Sequence, residues 1–483
     1  MNGEYEMSQY HTVIGLETHA ELNTKTKIFC GCKNEFGSKA NTNVCPVCLG
    51  LPGALPLLNR SVVEYAVRMG LALNCTINGV SYMDRKNYYY PDLPKAYQIS
   101  QSFVPLCENG FVEFWYDGQI RKVRIERIHI EEDAGKLIHG DDNCGETFID
   151  FNRCGVPLIE IVSKPDIKSS GEAYTYLKTL KAILNYLDIC DCRMQEGSIR
   201  CDVNVSVNKD GEALGTRCEM KNVNSFSAVS RAIDYESHRQ IELLSNGEII
   251  HQQTLRWDDI KGKNYLMRTK ENADDYRYFP EPDIPCLFIS DNDIKKLAAT
   301  IPELPNKKLI RYISEYELDP KEAEYIAFDQ SLSQFFDECI NTRKYNAKSY
   351  CRWVMGELAK HLNASQKEFS QTKLTSANLN DLLDAVNDNV VSNSAAKAVF
   401  EVLLKKGGEV DSIITGLGLA QISDTKALEA IAKQVIDSNE KSVQDYRNGR
   451  SNALGFLIGQ CMKHSNNKAN PVKVKEILLA FLG

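Results

Sequence analysis

The stretch IHIEEDAGKLIH (128–139) places two of the chain's eight histidines around three consecutive acids. Imidazoles and carboxylates at such spacing serve proton transfer or metal coordination, so the first question is which of them share a face. Alternate residues of a strand point the same way. On that rule Glu132 shares parity with Ile128 and Ile130, while His129, Glu131 and Asp133 lie opposite. In VIGLETHAEL (13–22), Ile14, Leu16, Ala20 and Leu22 fall on one face and Glu17, His19 and Glu21 on the other. In IRCDVNVSV (199–207), Ile199, Cys201, Val203 and Val205 oppose Arg200, Asp202 and Asn204. Arg217, Glu219 and Lys221 again share a parity, and Glu160 shares its face with Leu158 and Val162 between the apolar neighbours Ile159 and Ile161.

A carboxylate among apolar neighbours is costly to bury unless it is paired or bound to a metal, which singles out Glu132 and Glu160. Carboxylates with a histidine on one sheet face make an oxygen-rich site suited to Mg²⁺, which needs only one or two protein carboxylates where phosphates supply other oxygens. A wet face of an antiparallel sheet produces the same alternation, so parity leaves both readings open. The sequence contains neither a GxxxxGK[ST] loop nor a GxGxxG turn, so any nucleotide site here is of another kind.

A second constellation is CGCKNEFGSKANTNVCPVC, in which Cys30 and Cys32 precede Cys45 and Cys48. Two close cysteine pairs joined by a short loop can converge on one tetrahedral Zn²⁺, each thiolate bonding at about 2.3 Å. Four cysteine ligands leave no open position, so such a zinc shapes a loop rather than performing chemistry. The alternative is a group of free thiols. The chain has 16 cysteines and opens with MNGEYEMSQYHTVIG, which lacks the basic and apolar regions of a secretion signal. A reducing, cytoplasmic setting is therefore expected, where clustered cysteines read as metal ligands and scattered ones as small core residues.

These residues need elements to hold them. From about Thr12 to Ile289 the sequence is strand-like, with short alternating runs separated by turn residues and one long helical interruption, GEAYTYLKTLKAILNYLDI (171–189). The pattern is α+β, with an antiparallel sheet. After YFPEPDIP (278–285) helical periods dominate, and Gly407 and Gly408 stop one helix before another begins. Three domains are expected: a sheet domain over 1–290 carrying the catalytic residues, a helical domain over 291–408, and a helical tail over 409–483. The composition, 43% hydrophobic and 25% charged, is that of a globular chain, and no apolar run reaches the roughly 20 residues of a membrane helix. The net charge of −8 excludes a general nucleic-acid coat, but residues 441–483 hold seven basic against two acidic residues, a local +5.

The phrases VIGLETHAELNTKTKIFC, NYYYPDLPKAYQISQ, HIEEDAGKLIH, DFNRCGVPLIEIVSKPD, EGSIRCDVNVSV and DYRYFPEPDIP closely resemble the B-subunit family of aspartyl/glutamyl-tRNA amidotransferases. In the helical half, WVMGELAKHLN and NALGFLIGQCMKHSNNKANPVKVKEILLAFL resemble the family's tail domain, shared with YqeY-like proteins. The resemblance runs nearly end to end. It implies a first domain built as a cradle like the catalytic fold of glutamine synthetase. It also implies a heterotrimer in which an amidase-type A subunit hydrolyses glutamine, a small C subunit clasps A and B, and ammonia reaches B through a channel. The B subunit would use ATP to phosphorylate the side-chain carboxylate of misacylated Glu-tRNA(Gln) or Asp-tRNA(Asn), and ammonia would then displace phosphate.

Carried onto this chain, the family pattern makes His19, Glu17, Glu132 and Glu160 the Mg²⁺ candidates and Asp202 a further part of the catalytic surface. It makes Lys86, Tyr88 and Glu132 the lining of the ammonia exit. Asp274 and Asp275 are candidates for nucleotide or substrate contact, and Lys463, His464, Lys468 and Lys473 for the tRNA backbone, with a solvated helix face as the alternative. Some family members lack the four cysteines, so zinc is not essential to the reaction in general. The sequence carries no glutaminase-like Ser/Lys signature, which makes a partner the source of ammonia. Two other readings compete. A tRNA-binding scaffold with structural acids would not need His19, Glu132, Glu160 and Asp202 together, and a small-molecule carboxylate–amine ligase would leave the helical half without a purpose.

Overall fold

The alternation in VIGLETHAEL folds as β1 (Tyr10–Glu21), whose even-numbered residues Ile14, Leu16 and Ala20 are buried while Glu17, His19 and Glu21 are half-buried. The computed structural model describes residues 10–140, 146–269, 276–422, 424–450, 452–465 and 468–483. Two compact units divide the chain, Met1–Arg311 and Tyr312–Gly483.

In the first unit the early strands are β2 (Thr76–Ile77), β3 (Val80–Ser81), β4 (Asp84–Asn87) and β5 (Tyr97–Ser100). Two long strands, β6 (Cys107–Tyr116) and β7 (Gln119–Glu132), form a hairpin through a turn at Asp117 and Gly118, both at positive φ. Then come β8 (Lys136–His139), β9 (Thr147–Asp150), β10 (Pro157–Ser163), β11 (Ile199–Lys209), β12 (Cys218–Lys221), β13 (Gln253–Asp258), β14 (Lys263–Thr269), β15 (Phe279–Pro280) and β16 (Leu287–Phe288). Nine of them make one sheet in the order β14-β13-β12-β11-β1-β10-β7-β6-β2. Every pairing in it is antiparallel except β12 with β13. The antiparallel α+β architecture read from the sequence is the architecture observed.

One face of this sheet is apolar and carries the core, with Ile14, Ile130, Ile161, Val203 and Met220 fully buried. It is covered by helices α1 (Arg60–Ala72), α2 (Ser170–Tyr186) and α3 (Phe226–Ser245). Three helices therefore interrupt the strands where the sequence pattern suggests one. In α3 the buried residues include Glu236, Ser237 and Gln240 beside Ala228, Val229, Ala232 and Ile233, so the apolar period is broken by polar residues. Glu236 is sustained there by Arg239 at 2.6 Å, and Gln240 by the carbonyl of Val205 at 3.1 Å. Each of the three helices starts at a side-chain cap: Asn59 accepts from the N–H of Ser61, Ser169 from Glu172 and Ser225 from Ala228. Helix α4 (Asp291–Ala298), capped by Ser290, opens the helical part of the chain where the sequence pattern changes.

The named elements of the second unit are all helices among its described residues. Gly407, at φ +67°, ends the helix Asn393–Lys406, because only glycine takes that backbone angle without cost. Beyond it a separate small core gathers Leu428, Val435, Leu457, Val474 and Leu478. No described helix is long and apolar enough to cross a membrane.

Candidate active site

The polar face of the sheet is organised by register. Directly opposed residues of an antiparallel ladder project to the same side, and here Arg200, His19, Glu160 and His129 stand opposite one another in a row across β11, β1, β10 and β7. Glu17 and Asp202 are opposed one two-residue step along, and Asn204 faces Glu219 across β11 and β12. No single strand holds the site; five adjacent ones do.

Within the row, His19 Nε2 lies 3.4 Å from both Glu131 Oε1 and Glu160 Oε2. His129 Nε2 lies 3.1 Å from Glu160 Oε2 and 3.7 Å from Glu131 Oε2. Ser100 donates to Glu131 at 3.2 Å. Burial opposes a charge on His19, but Glu160, Glu131 and Asp202 outweigh it and raise its pKa to about 9. His129 is raised in the same way, against burial, by Glu160 and Glu131. Burial likewise works against ionisation of Glu160, yet the two imidazoles hold it well below the usual carboxylate range, and Glu131 is lowered too. Two acids are thus kept charged in a buried place, and the donor atoms of His19, Glu131 and Glu160 converge within 4.8 Å of one another. One imidazole with two carboxylates fits a divalent metal that replaces the protons.

A second group adjoins it. Glu17, Asp202 and Glu219 offer oxygens within 4.8 Å of one another. Asn204 donates to Glu17 at 3.0 Å, Thr254 donates to Glu219 at 3.1 Å, and Lys221 reaches both Asp202 and Glu219, the latter at 3.0 Å. Burial, then Glu160, Asp202 and Glu219, raise the pKa of Glu17, the expected response of acids gathered without full compensation. An all-oxygen set of this kind suits Mg²⁺.

The structure separates Glu132 from these groups. Its carboxylate lies on the other side of β7, bonded to Lys95 and accepting the N–H of Ile99 at 2.9 Å. It does not join His19 and Glu160; its neighbour Glu131 does, and His129, absent from the Mg²⁺ candidates of the sequence, stands beside it. Parity assigns the two faces of β7 correctly. What parity lacks is which face meets β10 and β1 at Glu160 and His19. Glu219 stands out in the sequence by its parity alone, and it too is brought into the site by register.

Lys86 comes from β4 and Tyr88 from the residues after it. Lys86 Nζ lies 4.8 Å from the ring centre of Tyr276 and 5.8 Å from that of Tyr88. Burial disfavours its charge, but Tyr278, Glu131, Tyr88 and Glu160 raise its pKa, so an ammonium group faces the acids. Burial raises the Tyr88 phenol, which stays neutral. A further charged knot closes one side: Arg200 Nη2 is 2.7 Å from Asp133, and Arg153 Nε is 3.4 Å from the same carboxylate.

The four cysteine sulfurs Cys30, Cys32, Cys45 and Cys48 also lie within 4.8 Å of one another. A hydrogen bond from Cys30 lowers the Cys48 thiol to about 5 against burial, aided by the N–H of Cys45 and the charge of Lys27. Burial pushes Cys32 up to about 11. Lys27 is fully buried and reaches Cys48 Sγ at 3.9 Å. The loop rests on the reverse face of the sheet: at Gly50 (φ +64°) a Cβ would sit 2.2 Å from Cγ of Lys95, so only glycine lets that turn approach the Lys95–Glu132 pair. Four sulfurs gathered on one loop fit a closed zinc site.

In the tail, Lys463 and His464 are exposed at the end of the helix Asn452–His464, Lys468 is exposed after it, and Lys473 is exposed in the first turn of Pro471–Leu482. Asp274 and Asp275 lie outside the described residues.

The family model described as the GatB/GatE catalytic domain matches residues 12–295, and the one described as the GatB domain matches 334–482. A curated protein from Thermoanaerobacter sp. (strain X514), named as the B subunit of an aspartyl/glutamyl-tRNA(Asn/Gln) amidotransferase, is 52% identical over 472 residues, covering 97% of this chain and 98% of its own. Proteins of the same name from Caldicellulosiruptor bescii and Clostridium tetani are 50% identical over 474 residues and 46% over 471, each covering 97% of this chain and 98% of their own.

Proposed function

The chain belongs to the GatB/GatE family, and from that membership we propose that it is the B subunit of a tRNA-dependent amidotransferase, converting misacylated Glu-tRNA(Gln), Asp-tRNA(Asn) or both to the amidated forms. The observation that carries the reading is the double acid group on five adjacent strands: His19, Glu131 and Glu160 beside Glu17, Asp202 and Glu219.

The chemistry requires such a face. A carboxylate resists attack by ammonia, whereas its acyl phosphate does not. The side-chain carboxylate oxygen attacks the γ-phosphorus of ATP, ADP leaves, and ammonia then adds to the acyl carbon as phosphate departs, giving the amide and a proton. His19, Glu131 and Glu160, and beside them Glu17, Asp202 and Glu219, would hold Mg²⁺, which when bound would neutralise charge gathering on the transferring phosphoryl group. His129, hydrogen-bonded to Glu160, orients that carboxylate. Lys86 presents an ammonium to the same anions, and Lys221 steadies Asp202 and Glu219. Glu132 with Lys95 belongs to the reverse face, away from the Lys86 ammonium that faces Glu131 and Glu160, so of the three expected exit residues only Lys86 and Tyr88 are assigned to the ammonia exit.

The accompanying subunits are an amidase-type A subunit supplying ammonia and a small C subunit. The cofactors are ATP, Mg²⁺ and a structural Zn²⁺ on Cys30, Cys32, Cys45 and Cys48. The division into a sheet domain (1–290), a helical domain (291–408) and a tRNA-binding tail (409–483) with Lys463, His464, Lys468 and Lys473 is part of the same proposal, as is a cytoplasmic location without membrane attachment. Co-expression with the A and C subunits and assay on both misacylated tRNAs tests it: ATP-dependent amidation is expected on at least one. Amidation of free glutamate in place of tRNA would instead identify a small-molecule ligase.

A further inference from the structure

We infer that the cleft at the Glu21 end of β1 receives the aminoacyl end of the charged tRNA, with the Glu21 carboxylate taking the α-ammonium group of the esterified amino acid. The inference rests on the amidotransferase reading and adds a direction to the site.

Glu17, His19 and Glu21 stand on one face of β1 at two-residue steps of roughly 7 Å. The two ends of this line differ. At Glu17 the surroundings are Asp202, Glu219 and Lys221, a closed group of oxygens with one ammonium. At Glu21 the sheet opens into a cleft lined by Glu21, Asn34, Phe36, Arg153, Gly197 and Arg200. The phosphates of the nucleotide belong at the first end, and a bulky second substrate enters at the other.

Around the Asp133 knot one carboxylate lacks a direct partner among the described residues. Arg200 and Arg153 converge on Asp133 at 2.7 and 3.4 Å, and Arg153 also donates to the carbonyls of Ala134 at 3.0 Å and Gly135 at 2.7 Å. Glu21, half-buried beside them, has no ion pair and no side-chain hydrogen bond among the described residues. Neither guanidinium touches it, and a half-buried carboxylate without a direct cationic partner gains from one that arrives.

An amino acid esterified through its α-carboxyl brings one cation, the α-ammonium. Its side-chain carboxyl carbon is three bonds away in an aspartyl group and four in a glutamyl group. At about 1.5 Å per bond, and with a hydrogen bond of about 2.8 Å at the ammonium, the group spans the single step from Glu21 to the His19 row. The reacting carboxylate then lies beside the metal-binding residues and the ester points outward. There Phe36, 73% exposed, offers a ring of the kind on which an unstacked terminal base packs.

The test uses the assembled complex with its glutaminase and small subunits. Glu21→Gln is expected to raise the KM for the misacylated tRNA about 10- to 100-fold, the loss of one charge-assisted hydrogen bond, and to leave the KM for ATP unchanged. The α-N-acetylated aminoacyl-tRNA should be disfavoured by a similar factor in the wild type, and this discrimination should vanish in Glu21→Gln. A defect of folding would lower activity on both tRNAs together and preserve the discrimination, which would overturn the inference. Wild-type enzyme that accepts the acetylated substrate as well as the free one overturns it too, as does a variant in which the KM for ATP rises instead. A wild-type complex that amidates neither misacylated tRNA would overturn the amidotransferase reading itself.

Discussion

The cysteine loop and the polar face of the sheet both gather metal-binding side chains, but they are assembled over very different lengths of chain. The loop draws its four sulfurs from Cys30 to Cys48, one continuous segment. The face draws on Glu17, Glu131, Glu160, Asp202 and Glu219, each from a different strand. A local loop keeps its ligands together whatever happens elsewhere. A face made of five strands depends on every register between them, and a slip of one residue in β7 would exchange Glu131 for Glu132.

The largest effect expected from this contrast is at Glu160, the carboxylate shared by His19 and His129. Glu160→Gln should lower kcat for ATP-dependent amidation by about 10²- to 10³-fold while tRNA binding is retained. An unimpaired variant would remove the face from the chemistry. Next comes the comparison of adjacent glutamates. Glu131→Gln should approach the Glu160 effect, whereas Glu132→Gln should keep most of its activity when ammonia is supplied directly as an ammonium salt. Its main cost should be stability, because Lys95 loses its buried partner, by about 1–3 kcal/mol in a denaturant melt. Equal loss of chemistry in the two variants would dissolve the distinction between the faces of β7.

The cysteine loop should respond in stability rather than turnover. Joint Cys45→Ser and Cys48→Ser substitution is expected to abolish bound zinc by elemental analysis and to lower Tm by about 2–4 °C for each kcal/mol lost, with kcat nearly unchanged. A collapse of kcat at full folded content would give the loop a chemical role. The smallest effect is expected in the tail, where Lys463→Ala with Lys468→Ala should weaken tRNA binding and reduce the slope of log affinity against log salt by about one for each phosphate no longer neutralised. ATP affinity should not move, and an unchanged salt slope would leave those lysines as a solvated surface.

Legibility follows the same division. The cysteine spacing, the strand alternation and the change to helical periods near Asp291 are all local patterns, and each appears where its residues stand. Helix α3 is not legible, because Glu236 and Gln240 are buried through partners, Arg239 and the carbonyl of Val205, that only the fold supplies. Glu21 is visible as a member of the polar face of β1, but its unpaired condition depends on Arg200 and Arg153 both turning to Asp133.

By itself the sequence determined which side chains oppose one another along each strand, because side-chain direction alternates with covalent geometry. It determined the four-cysteine loop for the same local reason. Only the tertiary structure decided that Glu131 and His129, not Glu132, meet Glu160 and His19. Register between strands distant in sequence is set by how the whole apolar face packs beneath α1, α2 and α3, and two neighbouring glutamates of equal chemistry are told apart only by what lies across the ladder from them.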